Sequence, residues 1–468
     1  MRLDEDISIA LQHYLEAEVQ RRKPANPVTP ADFLEMLLSS DAGFGIPIDR
    51  DYLTRIAQVA HERHTARRVD RDAPTLTIDP KLLTKRQMSE ILGDRLNYVL
   101  VFGAESIYFQ DTVHALALDG RRHGGVNVLG VHINWISHDG RSVKRALIED
   151  ENGLVKEMAF AEPVPVHVVQ ILHLPLKNER RIHRELSRRF CDSGILQINP
   201  YAASDRADNK AQTHALLEQC EQEIASPKYA LIKQGSPSSE IIKRLKSLVE
   251  DTQSHELVVQ PNRGTEGRKV EKFDGGNLSQ IVEYIKAQIL PEDDAIVREK
   301  RGNVRYKDRL LNVAFRVNVA WNGSEFAAES GYAQIAKDEM TFAASRGRGG
   351  EIVDINEALS ELYCFRDGKW VRFIPMGEDV AAIKDAAIKA AHALNAGLEA
   401  DDYLKLMGID ILLEVDRAGH LTPVVLEANP RPAGLSHSSE IMGISSRKPQ
   451  PRVSLEVFRF LSSYQFHK

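Results

Sequence analysis

The segment Met407–Gly434, MGIDILLEVDRAGHLTPVVLEANPRPAG, leaves few folds open to it. Ile409, Ile411, Leu413 and Val415 alternate with other residues, Asp416–His420 supplies turn formers, and Val424, Leu426 and Ala428 alternate again. A period of two on both sides of a turn predicts a β-hairpin. A turn centred between Ala418 and Gly419 places Asp410 opposite Glu427. In that register the apolar residues form one core face, and Asp410, Glu427 and Asn429 share the other. Two carboxylates facing each other repel, so something must offset them. A hard cation is the natural candidate, because Mg²⁺ takes oxygen ligands and often one or two carboxylates with phosphate oxygens. The alternative is a solvated sheet face with a chance acid pair. Against it, Asn429 runs straight into Pro-Arg-Pro, an odd end for an ordinary strand.

The rest of the composition limits what surrounds that hairpin. With 468 residues the chain exceeds one ordinary core and suggests two to four domains. Lys plus Arg total 61 against 67 Asp plus Glu, so a global basic field for nucleic acid is absent. The three cysteines, Cys191, Cys220 and Cys364, are far apart and form no CxxC or Cys/His cluster. Neither a zinc site nor a disulfide framework is indicated, which points to a reducing compartment. MRLDEDISIALQ has no basic n-region before an apolar stretch, and no run approaches the ~20 apolar residues of a membrane span. A cytoplasmic protein with no nucleic-acid or membrane partner is expected.

Four regions follow along the chain. Residues 1–92 read as a helical segment, with Ile7, Leu11, Tyr14 and Leu15 at helical spacing and Asp49–His64 amphipathic. Residues 93–205 read as an α/β domain. Its expected strands are Tyr98–Phe102, Val126–Ile136, Pro165–Leu174 and Ile195–Asn199, with a helix over Asn178–Cys191 and a turn at Asn152-Gly153. Residues 206–297 contain a helix over Lys210–Ile224, the strand Tyr229–Lys233, a helix over Ser238–Glu250 and the strand Leu257–Gln260. The loop Pro-Asn-Arg-Gly-Thr-Glu-Gly, a helix from Asn277 and the strand Ala295–Val297 follow. Residues 298–468 carry the hairpin.

Two further signals stand out. Gly264 and Gly267 could let backbone N–H groups approach phosphate, although the loop matches neither a Walker nor a Rossmann pattern and a plain turn is the bland reading. Arg298, Lys300, Arg301, Arg305, Lys307 and Arg309 form a cationic run, and such runs are mostly solvated faces, as is expected of Lys307 and Arg309. Arg316 differs. It lies in the apolar alternating strand Phe315–Trp321, where an unpaired guanidinium is costly, so a buried anionic partner is expected.

In this order the pieces resemble the ATP-grasp superfamily over roughly residues 206–440. Asp208-Asn209-Lys210 resembles the start of that region, LVVQPNRGTEGRKV its lid strand and glycine-rich lid, AIVREK its adenine-side hinge strand, and E-x-N-P-R its end. The resemblance implies an ATP-grasp fold, α/β and α+β, with an N-terminal helical segment and a pre-ATP-grasp α/β domain. It also implies ATP and Mg²⁺, with Mn²⁺ as the alternative ion. Asp410, Glu427 and Asn429 would be the metal ligands and Arg316 and Arg431 the catalytic cations. Lys210, Lys233, Gln260, Gly264, Gly267, Glu299 and Lys300 would hold the nucleotide. The family's lid strand ends in lysine before proline; Gln260 stands there instead, and Lys233 is the candidate to replace the charge. The implied reaction is ATP-dependent ligation, in which a small-molecule carboxylate becomes an acyl phosphate that an amine attacks. A kinase on a hydroxyl acceptor and a non-catalytic nucleotide-binding protein are the alternatives, and a homodimer is left open.

Overall fold

The computed structural model describes residues 81–103, 112–114, 116–117, 120, 125–149, 155–172, 180–252, 255–264, 267–307, 309–339, 341–345, 348–431 and 455–464, with positions 34 and 57. The helices expected before residue 81 and the turn at Asn152-Gly153 lie outside the described residues. The chain divides into two compact units, Met1–Ile198 and Asn199–Lys468.

The first unit is built on a seven-stranded mixed sheet. Its strands are β1 (Lys81–Leu83), β2 (Leu96–Phe102), β3 (Val126–His132), β4 (Ser142–Glu149), β5 (Val155–Pro165), β6 (Val168–Ile171) and β7 (Leu196–Ile198). Their order is β1-β5-β4-β3-β2-β6-β7. β2 runs parallel to β3 and β6, and β6 parallel to β7. Strands covered on both faces read as continuous apolar runs, which is why LNYVLVF and VNVLGVH lack alternation. Two expectations change here. Lys81–Leu83, in the segment read as helical, pairs parallel with β5. The expected strand Val126–Ile136 ends at His132, where the His132 ring accepts from the Asn134 N–H and starts a short 3₁₀ turn, Ile133–Trp135. The helix Lys85–Leu92 does form, capped reciprocally by Thr84 and Gln87.

In the second unit, β8 (Tyr229–Ile232), β9 (Glu256–Pro261), β10 (Glu271–Asp274) and β11 (Ala295–Glu299) make a four-stranded antiparallel sheet ordered β10-β9-β11-β8. Helices Ser238–Asp251 and Leu278–Tyr284 cover one face through Ile241, Leu245, Leu248 and Ile281. The larger sheet has eight strands. They are β12 (Val304–Tyr306), β13 (Leu311–Trp321), β14 (Phe326–Ile335), β15 (Glu351–Asp354), β16 (Leu362–Arg366), β17 (Lys369–Phe373), β18 (Leu406–Val415) and β19 (Leu421–Asn429). The long strand β13 pairs with β14 along one edge, and its other edge is shared by β12 and then β18. Helix Gly377–Asn395 packs Ile383, Ala387, Ala390, Ala391 and Leu394 against this sheet.

The unit boundary falls slightly before the expected 205/206 division. Asn199 explains this. Its side chain bonds the Leu406 and Pro430 carbonyls and accepts from Leu406 N at 3.1 Å. The helix Tyr201–Asp208 then buries Ala203 and Ala207 in the larger core. The next helix, expected over Lys210–Ile224, ends at Glu218. Among the described residues no helix is long and apolar enough to cross a membrane.

Candidate functional site

The hairpin expected from the alternation is β18–β19, and Asp410 does stand opposite Glu427. The register has a break that the sequence did not announce. Asp410 pairs with Glu427 but Ile411 with Val425, so Leu426 is the extra residue of a β-bulge. The bulge changes which residues reach the core. Val425 and Ala428 join Ile409, Ile411, Leu413 and Val415 there, whereas Val424 and Leu426, expected on that face, do not. One inserted residue turns the apolar set to one side and the polar set to the other, so the carboxylates keep their face.

On that face four residues form a row across four strands. Tyr332 on β14 pairs with Arg316 on β13, Arg316 with Asp410 on β18, and Asp410 with Glu427 on β19. Arg316 grips Asp410 with both arms, Nε to Oδ1 and Nη2 to Oδ2 at 2.6 Å each. Its Nη1 donates to the Tyr332 hydroxyl at 3.2 Å. The anionic partner expected for Arg316 is therefore Asp410, and the guanidinium fork is closed on that carboxylate. Gly408 makes room for this. A Cβ there would lie 2.9 Å from Arg316 Cδ, so a larger residue would push the guanidinium out of the row.

Lys210 approaches from the helix side. It is buried at the start of helix Lys210–Glu218, its Nζ 3.4 Å from Glu427 Oε2 and 2.5 Å from the Gly264 carbonyl. One lysine thus links the carboxylates to the glycine loop. The base of that loop is fixed by Asn262, which bonds Asn209 and the N–H of Ala211. Arg263 closes on Asp205 with two hydrogen bonds. At the far end of the hairpin the buried Arg431 pairs with Asp208, and its N–H donates to Asn429 Oδ1 at 3.1 Å.

Arg298, on β11, is the residue the sequence reading missed. It opens the cationic run, yet it is 6 % exposed. The argument made for Arg316, an arginine inside the apolar strand AIVRE, would have found it. Its Nη1 donates to the Leu426 carbonyl at 3.1 Å and lies 3.5 Å from His214 Nε2; its Nη2 donates to Gln260 Oε1 at 3.1 Å. The carbonyl it uses belongs to the bulge residue. His214 is fully buried, stacked on Tyr229 at 5.2 Å. Burial, with Arg298 and Lys210 nearby, holds its ring well below the ordinary histidine range, so it is neutral.

Other expected residues lie elsewhere. Lys233 is not at the cluster: its amine pairs with Asp294 at 2.9 Å with 62 % of the side chain exposed, at the end of β8 remote from Arg298. Glu299 accepts from Lys228 N and from Arg301, and Lys300 faces Glu256 at 3.8 Å. Both belong to the hinge network. Gly267 takes a left-handed φ of 66° and lies against Ala343. Lys307 and Arg309 are exposed, as expected.

The electrostatics follow from the count. Three cations, Lys210, Arg298 and Arg316, surround two carboxylates. Burial pushes Glu427 up, but the fields of Lys210, Arg298 and Arg316 overcome that and hold it below its ordinary value. Asp410 is more deeply buried and is pushed up against the pull of Arg316. An excess of one positive charge suits a bound polyanion better than a bare cation. Asp410, Glu427 and Asn429 still offer a hard oxygen donor set. Glu427 and Asn429 are its freer members, because both Asp410 oxygens already accept from Arg316. Among the described residues no three His, Cys, Asp or Glu side chains gather as a ready cage. Such a set fits Mg²⁺ arriving with phosphate oxygens.

No protein-family model and no curated protein matches the chain. Solved structures similar to it include D-cycloserine synthetase, at 14 % identity and TM-score 0.48, covering 78 % of this chain and 99 % of that one. The D-alanyl-alanine synthetase A of Vibrio cholerae O1 biovar eltor aligns at 14 % identity and TM-score 0.45, covering 72 % and 89 %. The L-amino acid ligase of Bacillus licheniformis aligns at 15 % and 0.41, covering 78 % and 74 %. All three are ATP-grasp proteins. With scores below one half they are background to the ATP-grasp resemblance; its support is the order of the elements and the row Arg316–Asp410–Glu427.

Proposed function

We propose that the chain is an ATP- and Mg²⁺-dependent ligase of the ATP-grasp kind, converting ATP to ADP while it joins a small-molecule carboxylate to an amine. The observation that carries this reading is the buried row of two carboxylates among three cations, tied through Lys210 to a glycine loop. A triphosphate with its metal needs both signs of charge side by side. Mg²⁺ held by Glu427 and Asn429, with Asp410 beside them, would supply Lewis-acid stabilisation of the charge that develops during phosphoryl transfer.

The protein's own residues supply position and field. Lys210 sets its ammonium between Glu427 and the glycine loop, where a γ-phosphate would meet it. Arg316 keeps Asp410 ionised and oriented rather than touching phosphate itself. Arg431 lies beyond Asn429, placed to steady an acceptor oxyanion. In the reaction the acceptor carboxylate oxygen bonds to the γ-phosphorus as the bond to the β–γ bridging oxygen breaks and ADP leaves. The amine nitrogen then attacks the acyl carbon, loses a proton and expels phosphate. Phosphoryl transfer of this type depends on positioning and electrostatics, and no covalent protein nucleophile is required.

The test is product chromatography after incubation with MgATP, a panel of amino acids and small carboxylates, and amines. ADP, phosphate and a coupled amide are expected. AMP with pyrophosphate would exclude γ-phosphoryl transfer, and ADP with a stable phosphate ester would make the protein a kinase.

A further inference from the structure

Among the described residues the buried guanidinium of Arg298 is held by neutral acceptors alone: the Leu426 carbonyl, Gln260 Oε1 and His214 Nε2. A charge so placed is costly unless something else completes it. Its Nε–H and one Nη2–H make no hydrogen bond among the described residues. Glu427 and Asp410 act on it only through their fields. The holders are themselves incomplete. Gln260 Nε2 and His214 Nδ1 are buried with no partner among the described residues, in side chains 3 % and 0 % exposed. Since arginine can only donate, His214 accepts on Nε2 and carries its proton on Nδ1. Unmet donors are thus concentrated in one socket, lined by β9, β11, the bulge of β19 and the helix of Lys210. A socket of buried donors calls for an acceptor-rich, anionic ligand.

The geometry points to Arg298 as a phosphate-binding cation of the proposed nucleotide site, carrying on β11 the charge that Gln260 lacks on β9. This rests on the nucleotide reading above. Gln260 and His214 are positioning residues. They fix the guanidinium without adding a negative charge that would compete with phosphate. The replacement of the lid-strand lysine is then a relocation of charge by one strand rather than a loss. Ile296 pairs with Gln260 across the ladder, which leaves Arg298 one pleat further along β11, within reach of the same space. Neutral holders matter here: had Gln260 been glutamate, Arg298 would be neutralised by the protein.

The test is calorimetric titration of the full chain with MgATP, with a thermal melt of each variant. Arg298→Met is expected to weaken ATP binding at least ~10-fold, the scale of losing one charge-assisted phosphate contact. Its melting temperature is expected to fall, because the Leu426 carbonyl, Gln260 Oε1 and His214 Nε2 lose their donor, so the melt shows that the affinity is read on folded protein. The double variant Arg298→Met/Gln260→Lys should recover most of the affinity by returning the charge to β9. Arg298→Lys, with a smaller change of shape, should bind between the parent and Arg298→Met, and it serves if Arg298→Met does not fold. Arg298→Met binding ATP like the parent, or a double variant no tighter than the single one, overturns the assignment while the nucleotide reading stands. A parent that binds no MgATP overturns both.

Discussion

Asp410 and Glu427 face each other across one ladder, yet their surroundings pull them apart. Asp410 has both oxygens engaged by Arg316, whereas Glu427 has, among the described residues, a single ion pair, with Lys210, and 30 % of its side chain exposed. Glu427 is therefore the carboxylate with oxygen to spare. Glu427→Gln keeps the shape and removes one charge, and turnover of ATP is expected to fall at least ~10²-fold, as when one electrostatic stabiliser is removed. ADP release by Glu427→Gln at the parental rate would mean the metal ligands lie elsewhere. Another buried charge tests the fold rather than the reaction. Lys405 is fully buried, its amine donating to the Asp401 carbonyl at 2.5 Å, and burial lowers its pKa to about 8. Between about pH 8 and its unfolded value of ~10.4, the unfolded chain binds more protons than the folded one. This residue's contribution to stability thus rises with pH through that window and is constant below it. Lys405→Met is expected to stabilise the protein by roughly 2–3 kcal/mol at pH 7, with the advantage shrinking toward pH 10. Urea melts of both proteins at the two pH values check it, and a pH-independent difference would contradict it.

The hairpin and the hinge are the elements that build the site. From β11 the chain turns into β12 through Lys300–Asn303. Gly302, at φ 83°, leaves no room for a Cβ beside Leu412. Glu414 on β18 holds this turn with two bonds from Arg301, at 2.8 and 2.6 Å, and one from Gly302 N at 2.9 Å. The pair is about three-quarters buried, between the worth of a surface pair and that of an interior one. Glu414→Ala should cost about 1–3 kcal/mol in urea unfolding, and ATP affinity should fall with it, since β11 carries Arg298. Unchanged stability would show the hinge to be held by its backbone alone. At this scale the sequence was readable where pattern and geometry agree. The alternation around Asp416–His420 led to the right hairpin and the right acid pair. It could not reveal the bulge, because Leu426 is as apolar as a core residue and only the partner strand decides that it is left over. The cationic run does not tell Arg298 from Lys307 and Arg309 for a related reason: exposure belongs to the neighbours, not to the charge run.

Every residue of the cluster, from Lys210 to Arg431, lies in the unit that begins at Asn199. A fragment of residues 199–468 is expected to bind MgATP within about tenfold of the full chain, since domains with their own core can fold alone. A fragment that folds, by circular dichroism, without binding ATP would place part of the nucleotide site before residue 199. Over the whole molecule the sequence by itself determined the mixed α/β class, the strands Tyr229–Ile232, Glu256–Pro261 and Ala295–Glu299 with the helix Ser238–Asp251 to within a few residues, and the polar face of Asp410, Glu427 and Asn429. Those follow from local periodicity, which the chain carries in itself. Only the tertiary structure decided that Arg316 closes on Asp410, that Lys233 lies far from the cluster, and that Arg298, Gln260 and His214 meet at the Leu426 carbonyl. These are contacts between residues tens to more than a hundred positions apart, as His214–Arg298 and Arg298–Leu426 are. Their energies depend on burial and on which charges share a low-dielectric space, and neither is set until the strands are paired.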